Sequence, residues 1–170
     1  MQKLSDIYGR VLGLLAGIAA LLLLAMVIIV TADILLRNLL VMGFVWANEV
    51  SEYALYLITL FTAPWLLRRG QHIRLDLILT AVPRNVAWLM EAAGDILGFV
   101  ICLIMLRYTW LMTFEAFRLG SITIKNLIFP EWWMLAPMPF TFLLLTIEFV
   151  FRFYRLMLSR TRREEATSVA

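Results

Sequence analysis

The stretch Trp46–Asp76, WANEVSEYALYLITLFTAPWLLRRGQHIRLD, decides the fold of this chain. It opens with two carboxylates, Glu49 and Glu52, and ends in a basic turn that contains His72. Between Glu49 and the first arginine lie 18 residues, most of them apolar, which is close to the length of a membrane-spanning helix. A charged side chain at the centre of a bilayer costs about 2.5–3.5 kcal/mol on insertion scales. The charges at the two ends of this stretch must therefore serve chemistry, transport or assembly.

The rest of the chain has the composition of a membrane protein. Hydrophobic residues make up 63% of its 170 residues, whereas soluble domains hold about 45–50%. The apolar runs are continuous rather than alternating, which favours helices over a barrel. We therefore predict an all-α integral membrane protein, with one membrane domain (1–158) and a disordered cytoplasmic tail (159–170). Its four transmembrane helices are expected at about 11–36, 47–67, 85–107 with an extension to 119, and 134–151.

The segment between the second and third spans is too short to cross the membrane. Residues 73–82 are mostly apolar, with Arg74 and Asp76 among them, and are followed by Pro83, which is common in the first turn of a helix. We expect a short interfacial helix here. As one helix, the third region would be roughly 50 Å long, against a hydrocarbon core of about 30 Å, so we expect it to tilt, bend or project from the membrane.

Lys and Arg residues predict the orientation. Eleven of the fifteen lie at the N-terminus, in the 68–84 connection and near the C-terminus. The positive-inside rule then places both termini in the cytoplasm and explains the basic pI without nucleic-acid binding.

Several charges are spaced for pairing within the chain. Asp33 and Arg37 lie four residues apart with the acid first, the favourable orientation on a helix. Glu91 and Asp95, near the start of the third span, are expected to meet the basic 68–84 connection, which includes Arg84. These pairs would hold helices in register.

Three glycines near the N-terminus, Gly9, Gly13 and Gly17, share one helical face. Such spacing permits close helix approach, although glycine is also common in membrane helices without this role.

The sequence offers little support for an enzyme or a cofactor site. Glu49 and Glu52 form a nominal acid–base pair, but no histidine or HExxH motif accompanies them. The chain has a single cysteine, Cys102, and a single histidine, His72, which argues against cysteine-based metal centres and bis-histidine haem ligation. We expect no cofactor and no bound metal, and a quinone- or haem-binding anchor is disfavoured.

A transporter that acts alone remains the alternative. Acids inside membranes mark ion pathways, and the boundary carboxylates could serve a self-sufficient small secondary transporter or channel. However, the acids cluster at span ends, and the sequence shows neither broken helices nor internal repeats.

One ordered set of residues resembles the small membrane subunit of TRAP transporters, the DctQ-like family. The set covers the end of the first span, the whole second span and the turn after it, and the four-span layout agrees with the family. Glu52 departs from the family's usual residue. The matching residues are Arg37, Trp46, Glu49, Arg69, Gly70, His72, Asp76 and Pro83.

The resemblance implies a non-catalytic small permease subunit in the bacterial inner membrane. Such a subunit pairs with a large membrane subunit that holds the substrate and sodium sites, and a periplasmic binding protein delivers an organic acid, such as a dicarboxylate or a sugar acid. The small subunit, embedded in membrane lipid, would brace the large one and help to dock the binding protein. Arg37, Trp46 and Glu49 would fix the outward ends of the first two helices. Arg69, Gly70, His72 and Asp76 would fix the cytoplasmic turn.

Overall fold

A computed structural model of the chain describes residues 2–40, 43–69, 84–123 and 128–168. Within these ranges, four helical segments are long and apolar enough to cross a membrane: Ile7–Leu39, Ala47–Arg69, Trp88–Leu119 and Trp132–Met157. This confirms the all-α fold with four spans. The helices are α1 (Gln2–Leu40), α2 (Ala47–Arg69), α3 (Arg84–Leu119), α4 (Trp132–Leu135) and α5 (Pro137–Ser168).

The helices pack as two pairs that share one seam. α1 lies along α2, α3 lies along α5, and α2 contacts α5 and so joins the pairs. The core is small: many large apolar side chains remain exposed, among them Leu21 (67%) and Leu97 (63%). Exposed apolar side chains of this kind suit contact with lipid or with another membrane protein, because neither imposes the free-energy cost that water would impose.

Two helices, α1 and α5, extend well beyond the spans expected at 11–36 and 134–151, whereas the length of α3 was expected. α3 is continuous over 36 residues, about 54 Å at 1.5 Å per residue, as its long apolar run suggested. α5 continues to Ser168, where the sequence predicted a disordered tail. Residues 159–168 contain no proline or glycine and are rich in Arg and Glu, which are good helix formers. The predicted interfacial helix at 73–82 lies outside the described residues.

A small hairpin and a proline shape the passage from α3 to α5. Gly120 adopts a positive φ of 61° just after α3, the left-handed conformation that glycine adopts most easily at a helix end. Ile122–Thr123 (β1) then pairs antiparallel with Phe129–Pro130 (β2). α5 begins at Pro137, a favoured first helical position because proline lacks an N–H. The sequence did not predict this hairpin.

Two ends of the bundle are used below to locate residues. The basic end holds the start of α1, the end of α2, the start of α3 and the arginines of α5. The loop end holds the end of α1, residues 43–50 at the start of α2, and residues 117–123 and 128–137 around the hairpin strands.

Candidate functional site: charge clusters at the two ends of the bundle

Glu148 on α5 is the centre of a buried cluster at the basic end. Its side chain is 0% exposed. Arg155 Nη2 donates a hydrogen bond to Glu148 Oε1 at 2.5 Å, and Arg68 Nη1 lies 3.5 Å from Oε2. An uncompensated buried carboxylate would cost several kcal/mol. The two arginines therefore make this burial tolerable, and one of them comes from a different helix.

Arg68 also reaches α1. Its Nη2 donates to the Ser5 carbonyl oxygen at 2.8 Å and lies 3.1 Å from Ser5 Oγ, and its guanidinium carbon is 5.6 Å from the centre of the Tyr8 ring. Tyr8 in turn donates its hydroxyl to the Leu144 carbonyl on α5 at 2.6 Å. A Cβ at Gly9 would lie 3.0 Å from Arg68 Nη2, so glycine leaves room for the guanidinium. Arg68 and Tyr8 thereby join α1, α2 and α5.

Asp95 forms a second interhelical ion pair. Its side chain is buried, and Arg152 Nε on α5 lies 2.7 Å from Oδ1. The sequence predicted that Asp95 and Glu91 would meet the 68–84 connection. Within the described residues, Asp95 pairs with Arg152, and Arg68 of that connection pairs with Glu148. Residues 70–83 lie outside the described part of the chain, so the contact of Glu91 and Asp95 with them stays a prediction. Asp95 lies about 16 Å along α3 from the first residue of that helix. At this position its side chain contacts Arg152 on α5. The Arg84 side chain lies outside the described part of the chain, and Glu91 is half-buried.

Asp33 organises the loop end. Arg37 Nε donates to its Oδ2 at 2.8 Å, and the backbone N–H of Phe44 donates to its Oδ1 at 2.6 Å. The structure thus brings together the two residues that the sequence paired, and it adds a link to the loop that follows α1. A Cβ at Gly43 would lie 2.6 Å from the Arg37 side chain. Glycine therefore allows the loop to pass closely over the ion pair.

Trp46 and Glu49 lie where the chain enters α2. The Trp46 ring contacts the Phe44 ring at 5.1 Å, and its carbonyl accepts a hydrogen bond from Val50 N at 3.0 Å. Glu49 is half-buried in the first turn of α2, where the helix dipole favours a negative charge. These two residues and Arg37 lie on either side of the same junction, at the loop end.

The remaining residues of the family motif are only partly described. Arg69, the last residue of α2, is exposed, and its guanidinium lies 4.6 Å from the centre of the Trp65 ring. Gly70, His72 and Asp76 lie outside the described residues, so the expected cytoplasmic turn cannot be compared with the structure.

Aromatic hydroxyls and rings complete the loop end. Tyr56 donates its hydroxyl to the Met134 carbonyl at 2.8 Å, which links α2 to α4. Tyr53 meets Phe129 of β2 edge-on at 5.3 Å. Tyr53 and Tyr56 lie three residues apart on one face of α2, so this face contacts the protein.

The arrangement suits helix fastening better than chemistry. Within the described residues, no group of three His, Cys, Asp or Glu side chains could hold a metal ion. Asp33, Asp95 and Glu148 are the buried carboxylates of that part of the chain, and each contacts an arginine. The sequence analysis missed Glu148. Its position inside the predicted 134–151 span could have identified it, because an acid within a membrane span usually has a specific partner.

Comparison with known proteins agrees with this architecture. The profile of the family described as "Tripartite ATP-independent periplasmic transporters, DctQ component" matches residues 26–159, well over half of the chain. A search of curated proteins found no match. The matched range begins within α1, ends within α5, and includes both the Asp33 junction and the Glu148 cluster. This chain belongs to the DctQ component family of the tripartite ATP-independent periplasmic (TRAP) transporters.

Proposed function

We propose that the chain is the non-catalytic small permease subunit of a sodium-driven organic-acid uptake transporter that depends on a binding protein. It lies in the bacterial inner membrane with both termini in the cytoplasm. It scaffolds the large membrane subunit and helps to dock the periplasmic substrate-binding protein. Membership of a family described as one component of a tripartite transporter supports the existence of such partners.

The observation that carries this proposal is the position of the charges. Each buried carboxylate of the described residues pairs with an arginine, and these ion pairs lie near the ends of the bundle. A translocation pathway needs polar groups within the membrane that can exchange partners with the transported ion. Each long helix instead has an uncharged section of 11 residues or more: 11–32 in α1, 53–67 in α2, 96–106 in α3 and 137–147 in α5.

The loop end is the surface that we assign to the binding protein. In the proposed orientation it faces the periplasm, and it exposes apolar side chains outside the long helices: Ile122, Ile128 and Trp133 are 56–71% exposed. Apolar side chains grouped on an exposed surface often mark a protein interface. The lateral faces of the helices remain for the large subunit and for lipid.

Co-purification with the large membrane subunit, if a neighbouring gene encodes it, tests the scaffold role. We expect a stable complex, and sodium-dependent uptake in liposomes only when both membrane subunits and the binding protein are present. Uptake by this chain alone would overturn the proposal in favour of a self-sufficient transporter. A monodisperse chain that never captures the large subunit would also count against it.

Two motif residues provide a sharper test of the same proposal. Glu49→Gln and Arg69→Ala should lower complex recovery or uptake more than they lower the yield of folded chain. Glu115→Gln is the matched control, because Glu115 is an exposed acid on α3 outside the motif. Normal assembly and uptake in both motif variants would mean that these residues are not part of the interface.

A further inference from the structure

A groove of about 660 Å³ lies between α1 and α2, near the basic end. Small residues of α1 form one wall, and a single face of α2 forms the other. A Cβ at Gly13 or Gly17 would meet no atom within 4 Å. Of the three glycines that the sequence placed on one face, only Gly9 makes a close contact, and the other two leave open space. The groove residues used below are Gly13, Gly17, Ala20, Thr62, Trp65 and Arg69.

The two arginines at the end of α2 differ in their partners. Arg68 turns into the bundle and contacts Glu148. Arg69 borders the groove, is exposed, and stacks on Trp65. Within the described residues, Arg69 contacts no carboxylate. Among the described residues, the groove therefore ends in a cation that has no acidic partner and could pair with an anion.

The length of the groove matches one leaflet of a bilayer. Its lining residues run from 13 to 23 on α1 and from 58 to 69 on α2, a rise of about 15–17 Å along each helix. This is about half of a hydrocarbon core of about 30 Å. A single acyl chain spans one leaflet, whereas a transmembrane partner helix would extend through both.

We propose that this groove binds one anionic phospholipid from the leaflet at the basic end. The acyl chain lies against Gly13, Gly17 and Ala20, and the phosphate pairs with Arg69. Arg10 lies three residues before Gly13, on the same face of α1, so a second cation lies near the same mouth. Basic pockets between transmembrane helices bind anionic headgroups in this way, and a guanidinium is suited to phosphate.

A second groove of about 440 Å³, between α3 and α5, shows why the charge matters. It is lined by Asp95, Phe99 and Tyr154, among others. The neighbouring cation, Arg152, is already paired with Asp95. Among the described residues, its lining contains no Lys or Arg, and the nearby Arg152 is paired, so we assign no headgroup to this groove.

Native mass spectrometry of the purified full chain tests the proposal. The chain is titrated in detergent with phosphatidylglycerol or with phosphatidylcholine of the same acyl chains, and the fraction carrying one lipid gives an apparent affinity. We expect tighter binding of phosphatidylglycerol. Arg69→Gln should weaken that binding about fivefold, the equivalent of about 1 kcal/mol for one cation near an anionic headgroup. Arg69→Lys should restore most of it.

Matched variants separate charge from groove occupancy. Gly17→Phe places a ring in the groove and should weaken phosphatidylglycerol binding while leaving Arg69 intact. Gly94→Phe adds the same ring at another glycine with open space around it and should have no effect, as should Arg118→Gln at the far end of α3. Size-exclusion profiles identify any variant that fails to fold.

Several outcomes would overturn the proposal. Equal binding of the two lipids would mean that the lipid associates non-specifically. A loss of lipid binding in Arg118→Gln as large as in Arg69→Gln would mean the same. Competition by excess inorganic phosphate would point to a free-anion site. If Gly17→Phe leaves lipid binding intact but abolishes capture of the large membrane subunit, the groove holds a partner helix instead of a lipid.

Discussion

The two ends of the bundle are held together in different ways. At the basic end, ion pairs join helices that are far apart in the sequence: Arg68 to Glu148, and Asp95 to Arg152. At the loop end, the ion pair of Asp33 with the half-exposed Arg37 lies within a single turn of α1. The contacts between elements there are a tyrosine hydroxyl on a backbone carbonyl and aromatic ring pairs, such as Tyr53 with Phe129.

This difference has an energetic consequence. A buried ion pair that loses one partner leaves an uncompensated charge, at a cost of about 3–5 kcal/mol. A neutral hydrogen bond contributes only about 0.5–1.5 kcal/mol net, so its loss costs less. The basic end should therefore depend on a few residues, whereas the stability of the loop end should be spread over many small contacts.

The largest effect is expected from Glu148→Gln. The variant keeps the size of the side chain but leaves Arg68 and Arg155 facing a neutral group. Because these arginines are 20% and 50% exposed, water offsets part of the loss. We expect a decrease of about 2–3 kcal/mol in the free energy of unfolding, below the full cost of breaking a buried pair. Unfolding by SDS in mixed micelles, followed by circular dichroism, measures it.

Two controls belong to that measurement. Glu115→Gln removes an exposed acid and should change the free energy of unfolding by less than about 0.5 kcal/mol. The double variant Arg68→Gln/Glu148→Gln should cost less than the sum of the single variants, because the two side chains contact each other. Additive losses would mean that the 3.5 Å contact contributes nothing to the stability.

At the loop end, Asp33→Ala should have the largest effect. It leaves the Phe44 N–H without its acceptor and Arg37 without its acid, and hydrogen bonds that involve a charged group contribute about 1.5–3 kcal/mol. We expect a loss of about 1.5–2 kcal/mol, measured in the same titration. Arg37→Gln should cost less than about 1 kcal/mol, since Arg37 is 53% exposed and exposed pairs are weak. A loss equal to that of Glu148→Gln would contradict the contrast between the two ends.

A pair of glycines on α3 tests how closely α3 and α5 approach each other. Gly98 lies against the Phe149 ring of α5, so a Cβ there would clash, whereas a Cβ at Gly94 would lie in open space. Gly98→Ala should cost about 1 kcal/mol, at the lower limit for overpacking, because the ring can shift in part. Gly94→Ala should be neutral or slightly stabilising, since alanine is the better helix former. Equal effects in the same unfolding experiment would mean that α3 and α5 are not closely packed at Gly98.

Local spacing explains which contacts could be predicted from the sequence. Asp33 and Arg37 are four residues apart, and any helix brings such residues onto one face. Continuous apolar runs likewise predicted four spans, because backbone groups in lipid must be satisfied within a helix. The ends of α1 and α5 were less predictable, since a helix can continue past its apolar section wherever the residues remain good helix formers.

The long-range contacts depend on how the helices are rotated and paired. Arg68 and Glu148 are 80 residues apart, and no spacing rule connects them. The sequence analysis placed Asp95 near the 68–84 connection, and it did not predict the pair that Asp95 forms with Arg152, 57 residues away. The acid inside the last span was visible in the sequence, whereas its partners followed only from the packing of α1, α2 and α5.

The smallest predicted effect concerns the hydroxyl of Tyr56. Tyr56→Phe removes the hydrogen bond to the Met134 carbonyl and leaves that acceptor without its α2 partner, so the free energy of unfolding should fall by about 0.5–1 kcal/mol. Tyr108→Phe is the matched control, because Tyr108 is 60% exposed on α3, and it should change almost nothing. If Tyr56→Phe costs more than about 2 kcal/mol, this one link supports the loop end as strongly as Glu148 supports the basic end. The stability of the loop end would then not be spread over many small contacts, because α2 would be held to α4 chiefly through a single hydroxyl.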